Sequence, residues 1–182
     1  MAVPFVNVQV VPFVDAGTGG RPFVCQGPGR GFALIGLALR AGAWIDRVTP
    51  IFAELFSDGT LGPAVRGASF GGAGGFDIEL RARPRYVVTG LQTRSGEFVD
   101  GVRLLQTRWD GELRIGDASW TAWGGSSVGG RERAPGIATP RGAAVVAGIA
   151  GRAGRFVDNL TILTAELAQA TSAGGGPSEV ME

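Results

Sequence analysis

Apolar and polar residues exchange places over short distances along this chain, and glycine cuts the runs. In FVDGVRLL the apolar residues Val99, Val102 and Leu104 are interrupted by polar ones over a stretch too short for a helix, the mark of a half-buried strand. β-Branched and aromatic residues follow each glycine bend, as they should where a ladder restarts. No segment keeps an amphipathic helical period. The nearest to one is residues 159–170, whose ILTAELAQA could end as a helix, but its alignment with residues 48–55 favours a strand. Ser57-Asp58-Gly59 and Asp110-Gly111 carry turn chemistry.

The runs recur. GLALRAGAWIDRVTPI from Gly36, GLQTRSGEFVDGVRLL from Gly90 and GIAGRAGRFVDNLTIL from Gly148 align without a gap. Their common pattern is G-[LI]-x-x-R-[AS]-G-x-[WF]-[IV]-D-x-[VL]. The bend glycines Gly42, Gly96 and Gly154 set periods of 54 and 58 residues (96 − 42 and 154 − 96). A glycine cluster precedes each stretch: AGTGG ending at Gly20, GGAGG ending at Gly75 and GGSSVGG ending at Gly130. One unit thus runs from a glycine cluster through short strands to a hairpin carrying an Asp. At the bend, glycine is expected to supply the positive φ of a tight turn.

A unit of this kind makes a small sheet with one apolar face that it cannot bury alone, and three such sheets facing a common axis can. The expected fold is all-β, a triangular prism of three four-stranded antiparallel sheets with pseudo-threefold symmetry. Residues 17–168 make the prism, with repeats at about 17–56, 70–109 and 123–167. Residues 1–16, with Phe5, Val6, Val10, Phe13 and Val14, are too apolar for a free arm. They are expected to add a strand that closes the prism or pairs with a neighbouring chain, which leaves a homo-oligomer or larger assembly open. Residues 169–182 read as a flexible tail.

Composition narrows the chemistry. The 182 residues include 32 glycines and 45% hydrophobic residues, enough for a core built from short strands and tight turns. All 17 basic residues are Arg, for which we have no structural reading, and the formal net charge of +1 gives no footprint for nucleic acid. The chain has no His and one Cys, Cys25, so there is no Ser–His or Cys–His pair, no His-containing zinc site and no internal disulfide. Cys25 reads as a small buried hydrophobe. No acid–base pair converges, and an enzyme, a metal or a cofactor is not expected. The first residues lack the basic start of a signal peptide, and no run reaches transmembrane length. A cytoplasmic, particle-associated or otherwise released protein is the expectation.

The motifs RAGAWID (Arg40 to Asp46), RSGEFVD (Arg94 to Asp100) and RAGRFVD (Arg152 to Asp158), each paired with a glycine cluster, resemble the jacalin-related lectins of β-prism fold. Within them the pattern is similar to that of the three-repeat, griffithsin-like group, over about residues 15–167. The resemblance implies a carbohydrate-binding protein that takes hexose-containing glycans, mannose-type or other, at up to three G-x-x-x-D hairpin sites. It implies hydroxyl acceptors at Asp46, Asp100 and Asp158, and bend glycines at Gly42, Gly96 and Gly154. It implies aromatic positions at Trp44, Phe98 and Phe156, and loop glycines at Gly20, Gly75 and Gly130. It also implies that Asp46 meets the Gly75 loop, Asp100 the Gly130 loop and Asp158 the Gly20 loop. Three features depart from the family: its hairpin aromatic is usually Tyr, the third cluster carries extra residues expected to reshape or silence the Asp100 site, and the first cluster, AGTGG, is one glycine short of the full loop.

The residues themselves leave alternatives. Each Asp could instead cap its own turn, with Arg40, Arg94 or Arg152 neutralising it. Of each aromatic–aliphatic pair one member must be buried, and Ile45, Val99 and Val157 are the expected ones. Arg81, Arg83 and Arg85 read as a solvated strand face, and Trp109, Trp120 and Trp123 as a group near a glycine loop, in the core or at an interface rather than as a sugar platform. A structural or assembly subunit, using the prism as a scaffold without sugar binding, is the alternative function.

Overall fold

The computed structural model describes residues 2–3, 5–10, 19–138 and 143–168; the expected tail at 169–182 and residues 11–16 of the N-terminal segment lie outside the described residues. The chain begins with β1 (Phe5–Val10), β2 (Arg21–Gln26), β3 (Phe32–Ala41) and β4 (Ile45–Glu54). The short β5 (Val65–Arg66) and β6 (Phe70–Gly71) lead to β7 (Phe76–Arg81), β8 (Tyr86–Ser95) and β9 (Val99–Trp109). Then come β10 (Leu113–Trp120), β11 (Gly124–Gly125), β12 (Arg131–Glu132) and β13 (Gly136–Ile137). A last hairpin, β14 (Ala144–Ala153) and β15 (Val157–Leu167), ends the described chain, so the ILTAELAQA stretch is strand through Leu167.

Three antiparallel sheets form, each around one of the repeated hairpins. The first sheet is ordered β5-β4-β3-β7 with β6 also on β4, and the second β10-β9-β8-β12 with β11 on β9 and β13 on β8. The third is β1-β15-β14-β2. Counting broken outer strands as one, each sheet has four strand positions, as expected of a β-prism. The strand after each glycine cluster does not join its own unit's hairpin: β7 pairs with β3, and β2 crosses almost the whole chain to pair with β14. The sequence repeat and the sheet are therefore out of phase by one strand, and the third sheet is completed by both N-terminal strands. β1 pairs with β15, from Phe5 opposite Leu167 to Val10 opposite Leu163, and so closes the prism within the chain.

The three hairpins share one register. Ala41 faces Ile45 and Arg40 faces Arg47; Ser95 faces Val99 and Arg94 faces Gly101; Ala153 faces Val157 and Arg152 faces Asn159. In each, one residue is left over, and it is Asp46, Asp100 or Asp158. The repeated carboxylates thus sit on β-bulges, which insert an unpaired residue and re-aim its side chain. That is how adjacent residues serve opposite purposes. Ile45, Val99 and Val157 stay in the core, essentially without solvent contact, while the next residue turns to the outside of the ladder.

The inner faces meet at the axis. Leu34, Leu37 and Phe52 of the first sheet, Leu91 and Leu104 of the second, and Ile149 and Leu160 of the third form one cluster. Cys25 packs partly buried against it. A second cluster fills the end of the prism away from the bends, where Leu55, Trp109 and Leu167 occupy equivalent last positions of the three hairpins. Trp109 is buried there and its Nε1 donates to the Phe56 carbonyl at 3.0 Å. It therefore does not stand with Trp120 and Trp123 near the glycine loop; the hairpin carries it to the opposite end. The expected Arg81–Arg85 strand face is also shorter, because β7 ends at Arg81 and Arg85 lies in a turn at φ 70°.

Candidate functional site

Each repeated Asp is enclosed by a glycine loop from later around the prism. Asp46 lies under the loop ending Gly74-Gly75, Asp100 under Gly129-Gly130 and Asp158 under Gly19-Gly20. The approach is close. A Cβ at Gly74 would stand 2.8 Å from Asp46 Oδ1, and one at Gly19 2.7 Å from Asp158 Oδ1. Only glycine fits, and Gly20, Gly75 and Gly130 also take φ of 73°, 76° and 61°. Positive φ was expected at the bend glycines, yet Gly42, Gly96 and Gly154 are not among the positive-φ glycines. The left-handed conformation belongs to the loop because the loop, not the bend, must fold back over a carboxylate.

What the bend glycines supply is a gap. A Cβ at Gly42 would sit 3.8 Å from both Asp46 Oδ2 and the Gly75 Cα, and one at Gly96 4.0 Å from Asp100 Oδ2 and the Gly130 Cα. At Gly154 the nearest atom would be the Gly20 Cα, at 3.5 Å. A methyl group fits these places without strain, and it would occupy the space between bend, carboxylate and loop.

The motif arginines form no direct ion pair with the aspartates among the described residues. Arg40 Nε donates to the Gly74 carbonyl at 3.0 Å and Nη2 to the Gly75 carbonyl at 2.7 Å, and its ion pair is with Asp77 at 2.8 Å. Arg94 repeats this on the Gly129 and Gly130 carbonyls, with Glu132 as its ion pair. Arg152 takes the Gly19 carbonyl at 3.0 Å and the Gly20 carbonyl at 2.7 Å. In a trans peptide the N–H points opposite the C=O. A loop whose carbonyls are tied back by a guanidinium therefore presents N–H groups on its other side. Further bonds fix the loops at their start: the bulged Asp46 carbonyl accepts from Gly72 N at 2.7 Å, and the Asp100 carbonyl from Ser126 N at 2.9 Å. The sequence pattern offered these arginines as partners of the Asp side chain; it gave no sign that they clamp the loop instead.

The aspartates are 6%, 7% and 5% exposed in chain order. Burial pushes the Asp100 carboxyl above the ordinary carboxylate range, against the Gly96 backbone N–H and the charge of Arg94, which favour ionisation. The Asp158 carboxyl is also pushed up by burial; Arg152 opposes this and Glu97 adds to it. Asp100 Oδ2 is buried without a hydrogen-bond partner. A buried acceptor without a donor costs free energy, so this oxygen is a local burden on the fold. The Asp100 loop has one residue more than the Asp46 loop between matched glycines, five steps from Gly125 to Gly130 against four from Gly71 to Gly75. Ser126 Oγ absorbs it by accepting from Val128 N and Gly129 N, which leaves Val128 projecting at 82% exposure.

Trp44, Phe98 and Phe156 come together at the axis, half-buried. Their ring centroids are 5.2 Å apart for Trp44–Phe98, 5.0 Å for Trp44–Phe156 and 4.7 Å for Phe98–Phe156. Trp44 meets both phenylalanines edge-on, as ring quadrupoles favour, and Phe98 and Phe156 are tilted by 49° to each other; the contacts tie the three bends together. The third bend also leans on the Asp46 loop: a Cβ at Gly72 would strike the Arg155 carbonyl oxygen. Sequence reasoning missed Phe76, which directly follows Gly75, pairs with Ala41 beside the Asp46 bend and is 78% exposed. The sequence carried no signal for its exposure, because Phe76 alternates with Ile78 and Leu80 along β7 and so reads as one of the inward positions.

No family model matches the sequence, and no curated protein matches it. Solved structures do match the fold. The agglutinin of Calystegia sepium superposes with a TM-score of 0.59 at 13% identity, over 90% of this chain and 99% of that one. A lectin of Malaysian banana gives 0.57 at 16% identity, over 90% and 98%. AcmJRL, a mannose-binding jacalin-related lectin from Ananas comosus, gives 0.57 at 15% identity, over 90% and 98%. The chain has the β-prism fold of the jacalin-related lectins.

Proposed function

We propose that the chain is a lectin, a non-catalytic protein that holds hexose-containing glycans at the three bends without a metal. Each site sets a carboxylate against a glycine loop across a gap; the loops over Asp46 and Asp158 face it with backbone N–H groups, while in the Asp100 loop Val128 N and Gly129 N already donate to Ser126 Oγ. An ionised carboxylate accepts from two adjacent sugar hydroxyls through charge-assisted bonds, and the loop amides donate to sugar oxygens. The observation that carries the reading is that each motif Arg spends its donors on the loop and leaves the Asp to an incoming ligand. A turn that used Asp only to cap itself would need neither the clamp nor the gap. Mannose-type hexoses are the first ligands to try, since AcmJRL, of the same fold, binds mannose. Three weak sites on one end of a prism would raise avidity for branched glycans by about 10²–10⁴-fold over one site.

The test is a glycan array and calorimetry with mannose on the parent and on Asp46→Ala, Asp100→Ala and Asp158→Ala, singly and together. Each single change should remove one site, and the folded triple variant should bind nothing. A folded triple variant that binds as the parent does would place the sugar elsewhere. A triple variant that fails to fold would favour the scaffold reading, in which each Asp holds its own turn.

A further inference from the structure

The outer faces of the first and second sheets are built on the same frame and filled differently. Arg66 pairs with Ile51 in the first sheet as Trp120 pairs with Leu105 in the second, and Gly71 with Arg47 as Gly125 with Gly101. It follows that Arg66, Ser69, Thr49 and Arg47 stand where the second sheet has Trp120, Trp123, Arg103 and Gly101. In the second sheet this ground is occupied: the Arg103 guanidinium lies 4.6 Å from the Trp120 ring and 4.8 Å from the Trp123 ring. In the first sheet it is a hollow of about 290 Å³, lined by Arg40, Arg47, Arg66, Thr49, Ser69 and Asp77 among others. That is near the lower limit of small-molecule sites, roughly 300 Å³.

We propose that this hollow is a second binding site, for a small oxyanion: a sulfate, a phosphate or a carboxylate. Three guanidinium groups line it. Asp77 answers Arg40, and Glu79 answers Arg66 at 2.9 Å. Arg47 gives Nε to the Gly72 carbonyl. A guanidinium carries five N–H donors in a planar fork suited to oxyanions, so these bonds leave Arg47 and Arg66 donors to offer. Across the floor the Thr49 and Ser69 hydroxyls share a 2.6 Å hydrogen bond, and either can turn to a ligand. The site is separate from the three aspartates, yet it backs onto one of them, because Arg40 and Arg47 also grip the loop over Asp46. An acidic substituent on a glycan would reach the same guanidinium groups as a free anion.

Calorimetric titration at low ionic strength tests this, with inorganic sulfate, glucose 6-sulfate and glucose as probes. The parent should bind one sulfate per chain, more weakly as salt is added. Arg66→Gln should weaken sulfate binding at least about tenfold, and Ser69→Trp, which refills the hollow as in the second sheet, should abolish it. Tighter binding of glucose 6-sulfate than of both sulfate and glucose would identify an oxyanion carried on sugar, and equal binding of the two sulfates the free ion. The proposal is overturned if the parent shows no saturable sulfate binding, or if Arg66→Gln leaves it unchanged. Arg66 is largely exposed and touches no glycine loop, so that variant stands as the test even where Ser69→Trp fails to fold.

Discussion

The two ends of the prism are each closed by three equivalent residues, one from every hairpin, and they are closed in opposite ways. At the bend end Trp44, Phe98 and Phe156 are all aromatic, touch one another and remain half-open to solvent. At the other end Leu55, Trp109 and Leu167 are buried, and one large ring beside two small side chains fills a centre that three rings would overpack. The far end obeys only volume, so its three copies have diverged in size. The bend end keeps its Arg, Gly, aromatic and Asp in every copy, where filling volume alone would not require them. The difference separates residues that hold the prism together from residues that equip it.

The sharpest way to break this division is at Trp109. Trp109→Ala should cost about 3–5 kcal/mol, the usual range for emptying a buried aromatic site, and would also leave the Phe56 carbonyl without its donor. Chemical denaturation would measure the loss, and sugar affinity of the folded fraction should be unchanged. A variant that lost affinity while keeping its stability would show that the ends are not independent. Trp44→Ala is the reciprocal change. Its two ring contacts should account for about 0.5–1.5 kcal/mol each, so the fold survives. Because the rings tie the bends together, however, affinity should fall at all three sites rather than one. Calorimetry with a single-site sugar would show it: an unchanged stoichiometry with a weaker constant supports the tie, and loss of one site alone would make Trp44 a platform for its own sugar.

The repeat, the bends, the buried Ile45, Val99 and Val157, and the prism were legible in the sequence because each rests on a local pattern recurring in phase. What depends on register was not. That Asp46, Asp100 and Asp158 are bulged follows from which residue faces which across the hairpin, and I-D or V-D reads identically with or without a bulge. Arg152 clamps a loop 133 residues away, and nothing near Arg152 marks its target. The φ of the glycines was misassigned between bend and loop for the same reason: both are glycine-rich, and only the packed carboxylate decides which must be left-handed. Trp109 could have been placed, since Leu55, Trp109 and Leu167 all stand at the same distance after their bend glycines.

A smaller effect probes the cost of equipping the bend end. Burial raises the Asp100 carboxyl, so the folded chain holds that proton more tightly than the unfolded chain does. The stabilising contribution of this group is therefore complete at acid pH and is lost as pH rises through the folded value. At neutral pH a charged, partly unsatisfied carboxylate is a burden on the fold. Asp100→Asn should then raise Tm at pH 7, while removing sugar binding at that site. The gain in Tm should shrink as pH is lowered. A fall in Tm at neutral pH would show that the charge stabilises the turn. Sugar bound at Asp100 should be released on acidification at a higher pH than an ordinary aspartate would require.

The smallest effect tests whether the bends truly gather. Glu97 lies at the tip of the second bend and Asp158 on the third hairpin, 61 residues apart (158 − 97) and in different sheets. Nevertheless the negative charge of Glu97 adds to the upward push on the Asp158 carboxyl, after burial and against Arg152. That coupling places the tip of the second bend beside the third site. Glu97→Gln removes a like charge and should lower the Asp158 pKa, by less than burial raises it. Following the Asp158 carboxyl carbon by NMR during a pH titration would measure the change directly. The shift should disappear on adding Trp44→Ala, which loosens the bends, and should be damped by salt, as an exposed charge is screened over roughly a Debye length of 10 Å at 0.1 M. An Asp158 titration indifferent to Glu97 would mean that the three sites share a fold without sharing a neighbourhood, and that each should be treated as chemically alone.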